Sequence, residues 1–148
     1  MAEEFVGSGW AAFPMRTDQT GSIALVSREQ ELEEAMRLVL ATAPGERPMR
    51  PDFGCRIHDY VFAPCDATTA GMLAYEVRNS LLRWEPRVDV VKVDVRPDPR
   101  DATTMLIDIR YTVKHTNDPR NLVFPFYLIP PEEDARQLEA STTGSLEE

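Results

Sequence analysis

The chain has 148 residues, of which 43% are hydrophobic and 28% are charged, a composition typical of one soluble domain with a modest core. Its formal net charge is −9, which disfavours nucleic acid and anionic membranes because both repel an acidic protein. No apolar run approaches the roughly 20 residues of a membrane span, and the N-terminus has no signal-peptide pattern. We therefore expect no nucleic-acid or membrane partner, synthesis in the cytoplasm, and reduced thiols at Cys55 and Cys65.

The N-terminal part predicts an arm followed by a strand and a helix. Residues 1–21 show no regular period and are interpreted as an arm that places Trp10 and Phe13 on the domain. Residues 22–26, SIALV, are typical of a short strand. Ser27 then opens an S-x-x-Q capping box before an amphipathic helix, which should end before Pro44-Gly45.

A proline-rich loop separates this helix from a second one. Residues 44–55, PGERPMRPDFGC, are predicted to be loop, and the segment that follows, RIHDYVFAP, to contain one helical turn. Asp66 is a predicted N-cap, and Pro86 should end the second helix because the residue before a proline avoids helical conformation. Apolar residues recur at helical spacing in both helices: Leu32, Ala35, Met36, Val39 and Leu40 in the first, and Ala70, Leu73, Ala74, Val77, Leu81 and Trp84 in the second.

Three strands should complete the domain. Residues 88–95 are β-branched, with a slip in alternation at Val90 and Val91 that indicates a bulge or a two-sided strand. Residues 104–113 alternate cleanly and predict a half-buried strand. Residues 122–130 predict a last strand, at an edge or bulged, because Pro125 lacks a ladder donor. Segments 96–102 and 115–121 are interpreted as turns.

This order predicts a single α+β domain over residues 22–130, with two main helices on one face of an antiparallel sheet. The preceding residues 1–21 form the arm. Residues 131–148 contain six acids and one arginine, a composition that predicts a disordered acidic tail.

The sequence contains few residues arranged for chemistry. The two histidines, His58 and His115, have no ligand spacing, Gly54 stands alone in PDFGC, and no nucleophile motif is present. We therefore expect no metal and no cofactor.

The segment RWEPR at residues 83–87 leaves three interpretations of Glu85: a catalytic acid, an ion-pair partner, or part of a docking surface. A glycoside hydrolase needs two carboxylates, one of which holds its proton. Arg83 and Arg87 flank Glu85, and neighbouring positive charge favours the ionised carboxylate, the wrong state for a general acid. Trp84 is expected to complete the apolar stripe of the helix.

The apolar last strand also has two interpretations. Its residues either belong to the core and an edge strand, or the open edge of the sheet accepts a strand from another chain through backbone hydrogen bonds. An acidic chain with no recognisable catalytic motif fits an assembly component better than an enzyme.

Four segments in order carry a family resemblance: ALVS before a helix, PGERPMRPDFGC, LLRWEPRVDV and NLVFPFYL. Together they resemble the lysozyme-like baseplate wedge family, which initiates the sheath in contractile phages, type VI secretion systems and extracellular contractile injection systems. The resemblance spans about residues 9–129. The E-P-R motif of the family falls on Glu85, Pro86 and Arg87.

The resemblance implies a structural protein that is similar to the handshake domain of sheath subunits, in which strands of neighbouring subunits complete one sheet. It implies six copies around the axis, contacts to the large wedge subunits and the sheath protein, and a place beside inner-tube or hub proteins. The alternative that follows from the lysozyme label is a peptidoglycan glycoside hydrolase using Glu85. The candidate partner-binding residues are Arg50, Asp52, Phe53, Trp84, Glu85, Pro86, Arg87, Leu122, Phe124, Phe126 and Tyr127.

Overall fold

The computed structural model describes residues 10–11, 15–26, 28–114 and 116–129. Within them, two helices precede a three-stranded antiparallel sheet of order β3-β4-β5, which confirms the α+β class. The elements in chain order are β1 (Trp10–Ala11), β2 (Leu25–Val26), α1 (Arg28–Ala41), a 3-10 helix (Arg56–Tyr60), α2 (Ala67–Trp84), β3 (Val88–Asp98), β4 (Asp101–Val113) and β5 (Asp118–Tyr127).

The N-terminal strands form a small antiparallel pair separate from the main sheet. Strand β1 pairs with β2, and Thr17 bridges Ile23 across a tight turn. The predicted arm therefore pairs through its backbone with the strand that follows it. The predicted packing of the Trp10 and Phe13 side chains and the capping box at Ser27 lie outside the described residues.

Helix α2 begins and ends where the sequence predicts. The Asp66 carboxylate accepts a hydrogen bond from the Thr69 N–H at 2.7 Å, as an N-cap does. Hydrogen bonds from Thr69 hold the pKa of Asp66 below its usual value. The helix ends at Trp84, two residues before Pro86. Helix α2 packs against β3 and against α1, and buried side chains of both helices share one core with those of the sheet.

The sheet alternates as predicted, and its central strand supplies most of the core on that face. The predicted slip in β3 is a bulge: its register with β4 shifts between Val90 and Lys92, which leaves Val91 63% exposed. The inward side chains of β4 are all buried: Met105, Ile107, Ile109, Tyr111 and Val113.

Both predicted turns between strands were too long. Strand β3 continues to Asp98 and β4 begins at Asp101, while β5 begins at Asp118 rather than at Leu122. The charged and proline residues of these segments look like turn residues in sequence. They lie instead on the solvent side or at the edge, where a ladder tolerates them. Asn117, with φ of 52°, marks the tight turn before β5.

Candidate partner-binding site at the end of helix α2

Glu85, Pro86 and Arg87 form the turn between α2 and β3. The Arg87 Nε and Nη2 atoms donate to the two carboxylate oxygens of Glu85 at 2.6 and 2.8 Å. The Nη1 atom of the same guanidinium donates to both carboxylate oxygens of Glu31, in α1, at 2.9 Å. One arginine therefore joins the end of α2 to α1 through four charge-assisted hydrogen bonds. We call Glu31, Glu85 and Arg87 the arginine clasp.

The clasp is largely withdrawn from solvent. Glu85 is 4% exposed, and the side chains of Arg87 and Glu31 are 29% and 13% exposed. The hydrogen bonds that Arg87 donates to Glu85, followed by those it donates to Glu31, raise the pKa of its guanidinium despite partial burial. The ion-pair interpretation of Glu85 is confirmed. The Glu85 carboxylate does not stand free on a surface. The second acceptor of the Arg87 guanidinium, Glu31, was not foreseen from the sequence.

The loop 44–55 packs onto the end of α2 beside the clasp. The rings of Phe53 and Trp84 lie 5.2 Å apart, centroid to centroid, at 58°. The Arg47 guanidinium lies 4.5 Å from the Phe53 ring, and those of Arg50 and Arg83 lie 5.5 and 4.8 Å from the Trp84 ring. We call this group the Arg–aromatic cluster: Arg47, Arg50, Asp52, Phe53, Arg83 and Trp84.

The cluster brings together four predicted site residues and adds two arginines that were not among them. Asp52 accepts from the Arg83 Nη2 atom at 2.9 Å, although both side chains remain more than half exposed. Guanidinium groups stacked on aromatic rings keep their donors available at the ring edge. The cluster is therefore a pre-organised set of donors on a chain that is acidic overall. Its residues Arg50, Asp52 and Arg83 are exposed, and the others are half-buried.

Gly54 fixes the path of the loop that carries the cluster. Its φ is +122°, and a Cβ atom at this position would lie 2.2 Å from the Thr42 carbonyl oxygen. The same oxygen accepts from the Cys55 N–H at 2.9 Å. Cys55 is fully buried, and its burial raises the pKa of the thiol. It forms no disulfide, and neither does the exposed Cys65.

The predicted residues of the last strand divide between core and edge. Leu122 and Phe126 are 2% and 5% exposed, so their side chains cannot contact a partner. Phe124 is half-buried against the core. Tyr127 is 63% exposed. Strand β5 is separated from α2 and β3 by β4, so these residues lie apart from the Arg–aromatic cluster.

At the outer edge of β5, the backbone N–H and C=O groups of every second residue point away from β4. Pro119 and Pro125 lack an N–H and occupy positions whose N–H would point away from β4. Leu128 has an even number, unlike the two prolines, and donates its N–H to the Thr103 carbonyl at 2.7 Å. Backbone groups alternate sides along a strand, so the odd-numbered residues face the open edge. The remaining donors at that edge belong to Asn121, Val123 and Tyr127.

Among the described residues, His, Cys, Asp and Glu side chains form no group of three or more that could hold a metal ion. His58 has a backbone partner, since its Nε2 lies 3.1 Å from the Leu40 carbonyl oxygen. Neither helix in the same ranges combines the length and apolar character that a bilayer span requires.

The α+β domain thus combines an arginine–aromatic cluster, paired carboxylates at the end of α2, and a sheet edge that no described strand covers. The family profile of baseplate wedge protein gp25 matches residues 26–118. The chain therefore belongs to the baseplate wedge protein gp25 family, whose members are structural proteins of contractile tails.

Similar proteins agree with this assignment. Baseplate wedge protein gp25 of Enterobacteria phage T4 is 26% identical over 99 residues, which cover 67% of this chain and 74% of that protein. A crystal structure from Geobacter sulfurreducens, described as a tail lysozyme, is 46% identical with a TM-score of 0.67; the match covers 73% of this chain and 97% of that one. A chain of the anti-feeding prophage baseplate shares the fold at 23% identity, with a TM-score of 0.60 and coverage of 88% and 93%.

Proposed function

We propose that this protein is a non-enzymatic baseplate wedge subunit that binds the large wedge subunits through the Arg–aromatic cluster and offers the edge of β5 to a sheath strand. The observation that carries the proposal is the cluster itself, held beside the E-P-R turn of a baseplate wedge family member. Six copies around the axis, nucleation of the first sheath ring, proximity to inner-tube or hub proteins, and assembly in the bacterial cytoplasm belong to the same proposal.

The arginine clasp has an indirect part in wedge binding. It ties the end of α2 to α1 and so fixes Trp84, on which Arg50 and Arg83 stack. A surface that is already ordered loses less side-chain entropy when a partner binds. Aromatic and arginine side chains at the centre of an interface commonly contribute most of its binding energy. The clasp therefore positions the surface, and the cluster makes the contact.

Arg50→Glu should reduce affinity for the purified wedge complex by about 2 kcal/mol or more, as at a binding hot spot. The exposed guanidinium contacts the Trp84 ring and forms no ion pair with a described residue, so the fold should survive. Binding is measured by calorimetry, with thermal melting as the check on folding. Arg78→Glu, at an exposed position of helix α2 outside the cluster, is the control. Equal affinity of the two variants would refute docking through the cluster.

Val123→Pro should abolish sheath recruitment while leaving the isolated domain folded. Position 123 has the parity of Pro119 and Pro125, so proline there removes an edge donor and no bond to β4. Strand addition depends on main-chain hydrogen bonds at the edge, and the variant would leave only Asn121 and Tyr127 as donors. Recruitment is scored by imaging sheath polymerisation on purified baseplates.

Val123→Ala is the control for this experiment, because it removes the same side chain and keeps the N–H. Sheath recruitment by the proline variant at the level of the alanine variant would argue against strand sharing at β5. Circular dichroism checks that the proline variant folds. Loss of folding would contradict the assignment of the Val123 N–H to the outer edge.

The same geometry supports a role without catalysis. The structure does place a second carboxylate, Glu31, near Glu85, but the Arg87 guanidinium occupies the space between them and binds both. A glycosidase needs that space for the scissile bond. We expect the purified protein to release no sugar from peptidoglycan between acid and neutral pH. Release that disappears in Glu85→Gln would establish the hydrolase alternative.

A further inference from the structure

The Arg–aromatic cluster concentrates positive charge that described acids do not neutralise. Arg83 pairs with Asp52, but Arg47 and Arg50 contact rings and form no ion pair with any described residue. The nearby acid Glu46 accepts from the Ala43 N–H at 3.0 Å. An anionic segment would therefore find two guanidinium groups already oriented and open to new partners.

The chain itself carries a segment of the opposite charge. Residues 131–148 contain six acids and one arginine, a net charge of −5 within a total of −9. The described chain ends at Ile129, whose N–H donates to the Val61 carbonyl at 2.7 Å. The described chain therefore ends next to the end of the 3-10 helix.

The end of the described chain at Ile129 is close to the cluster. Arg56, the first residue of the 3-10 helix, lines a groove of about 310 Å3 together with Asp52, Arg83 and Trp84. Val61 follows five residues later, which is about 10 Å at the rise of a 3-10 helix. Eighteen residues can span at most about 60 Å when extended. The segment that follows Ile129 is therefore long enough to reach the whole cluster from the end of the described chain.

We infer that residues 131–148 dock on the Arg–aromatic cluster in the free chain, through their carboxylates and the guanidinium groups of Arg47 and Arg50. Covalent attachment keeps the acids at a high effective concentration, so weak ion pairs suffice for contact. The contact shields the cluster until a partner with higher affinity displaces the segment. This regulatory role rests on the proposed wedge function, whereas the docking itself does not.

A nitroxide on the acidic segment tests the contact in the full chain. Ala140→Cys carries the label. Cys65 is exposed and is replaced by serine, whereas Cys55 is fully buried, is protected from the reagent and is kept. We expect the NMR signals of Arg47, Arg50 and the Trp84 indole to be broadened by the nitroxide several-fold more than the signal of Tyr75. High salt should remove the difference, because exposed ion pairs are screened.

A variant that lowers the net charge of the segment from −5 to −2 provides the second arm of the experiment. Replacing Glu132, Glu133 and Asp134 by their amides should remove the broadening at the cluster and raise wedge affinity several-fold. Broadening that is uniform, centred elsewhere, insensitive to salt, or seen only between mixed labelled and unlabelled chains would overturn the inference. Normal wedge binding by Arg50→Glu, together with broadening at the cluster, would instead refute the proposed function and leave the docking standing.

Discussion

Arg87→Ala should destabilise the domain by about 3 to 5 kcal/mol, the usual cost of removing one partner from a buried ion pair. The reason is the state in which it leaves the other two side chains. Glu85 is 4% exposed, and both its carboxylate oxygens accept from Arg87 alone among the described hydrogen bonds. Without the guanidinium, two poorly hydrated carboxylates would face each other between α1 and α2. The measurement is denaturant unfolding, read as a shift in midpoint at unchanged slope.

Arg83→Ala is the matched control, four residues earlier in the chain. Its ion pair with Asp52 has side chains 62% and 53% exposed, and a pair of this kind contributes about 0 to 1 kcal/mol. If Arg87→Ala loses no more unfolding free energy than Arg83→Ala, the clasp does not hold the helices together. Replacing all three clasp residues by neutral ones of similar size should cost less than the single change, because no charge is left buried and unpaired.

The clasp shows what a local sequence pattern can and cannot predict. An ion pair of Glu85 with a flanking arginine was one of three interpretations of the sequence, and the structure selects Arg87, two residues away. Glu31 is 56 residues from Arg87, and it is one of several glutamates near the start of α1. Its selection depends on how α1 packs against α2. The burial of Glu85 follows from the same packing and was not predicted from the sequence, whereas Pro86 is exposed and Arg87 is half-buried.

The elements themselves were predicted well where the signal is local. The Asp66 cap, the stop at Pro86 and the bulge at Val90 each depend on one or two residues and their neighbours. The turn lengths were wrong because Arg96 and Arg120 look the same whether they lie in a turn or on the outer side of a ladder. Their pairing with Leu106 and Tyr111 is a property of the sheet.

The recognition surface was predicted only in part for a related reason. Arg50, Asp52, Phe53 and Trp84 were selected through the family resemblance, and the structure places them in one cluster. The contact of Arg47 with the Phe53 ring and the ion pair of Arg83 with Asp52 follow from the path of the loop, which returns to the end of α1 at Gly54. Whether the cluster and the edge of β5 bind partners stays a prediction.

Gly54→Ala should therefore be the substitution that most directly uncouples this loop from the domain. A residue with a side chain resists φ of +122°, and its Cβ would lie 2.2 Å from the Thr42 carbonyl oxygen. Backbone strain of this kind costs about 1 to 3 kcal/mol, and overpacking against a fixed neighbour costs about 1 to 3 kcal/mol more. We expect a loss in unfolding free energy of about 2 to 6 kcal/mol from the two effects combined.

Gly45→Ala separates the two effects, because Gly45 has φ of +88° but nothing lies within 4 Å of an added Cβ. It should lose only the left-handed conformational term of about 1 to 2 kcal/mol. Gly54→Ala should also weaken the Phe53–Trp84 contact, because relief of the clash at Thr42 requires the adjacent residues to move. Near-ultraviolet circular dichroism reports that contact. Equal stability losses in the two variants would show that the close approach to Thr42 does not constrain the loop, and the cluster would then need another anchor.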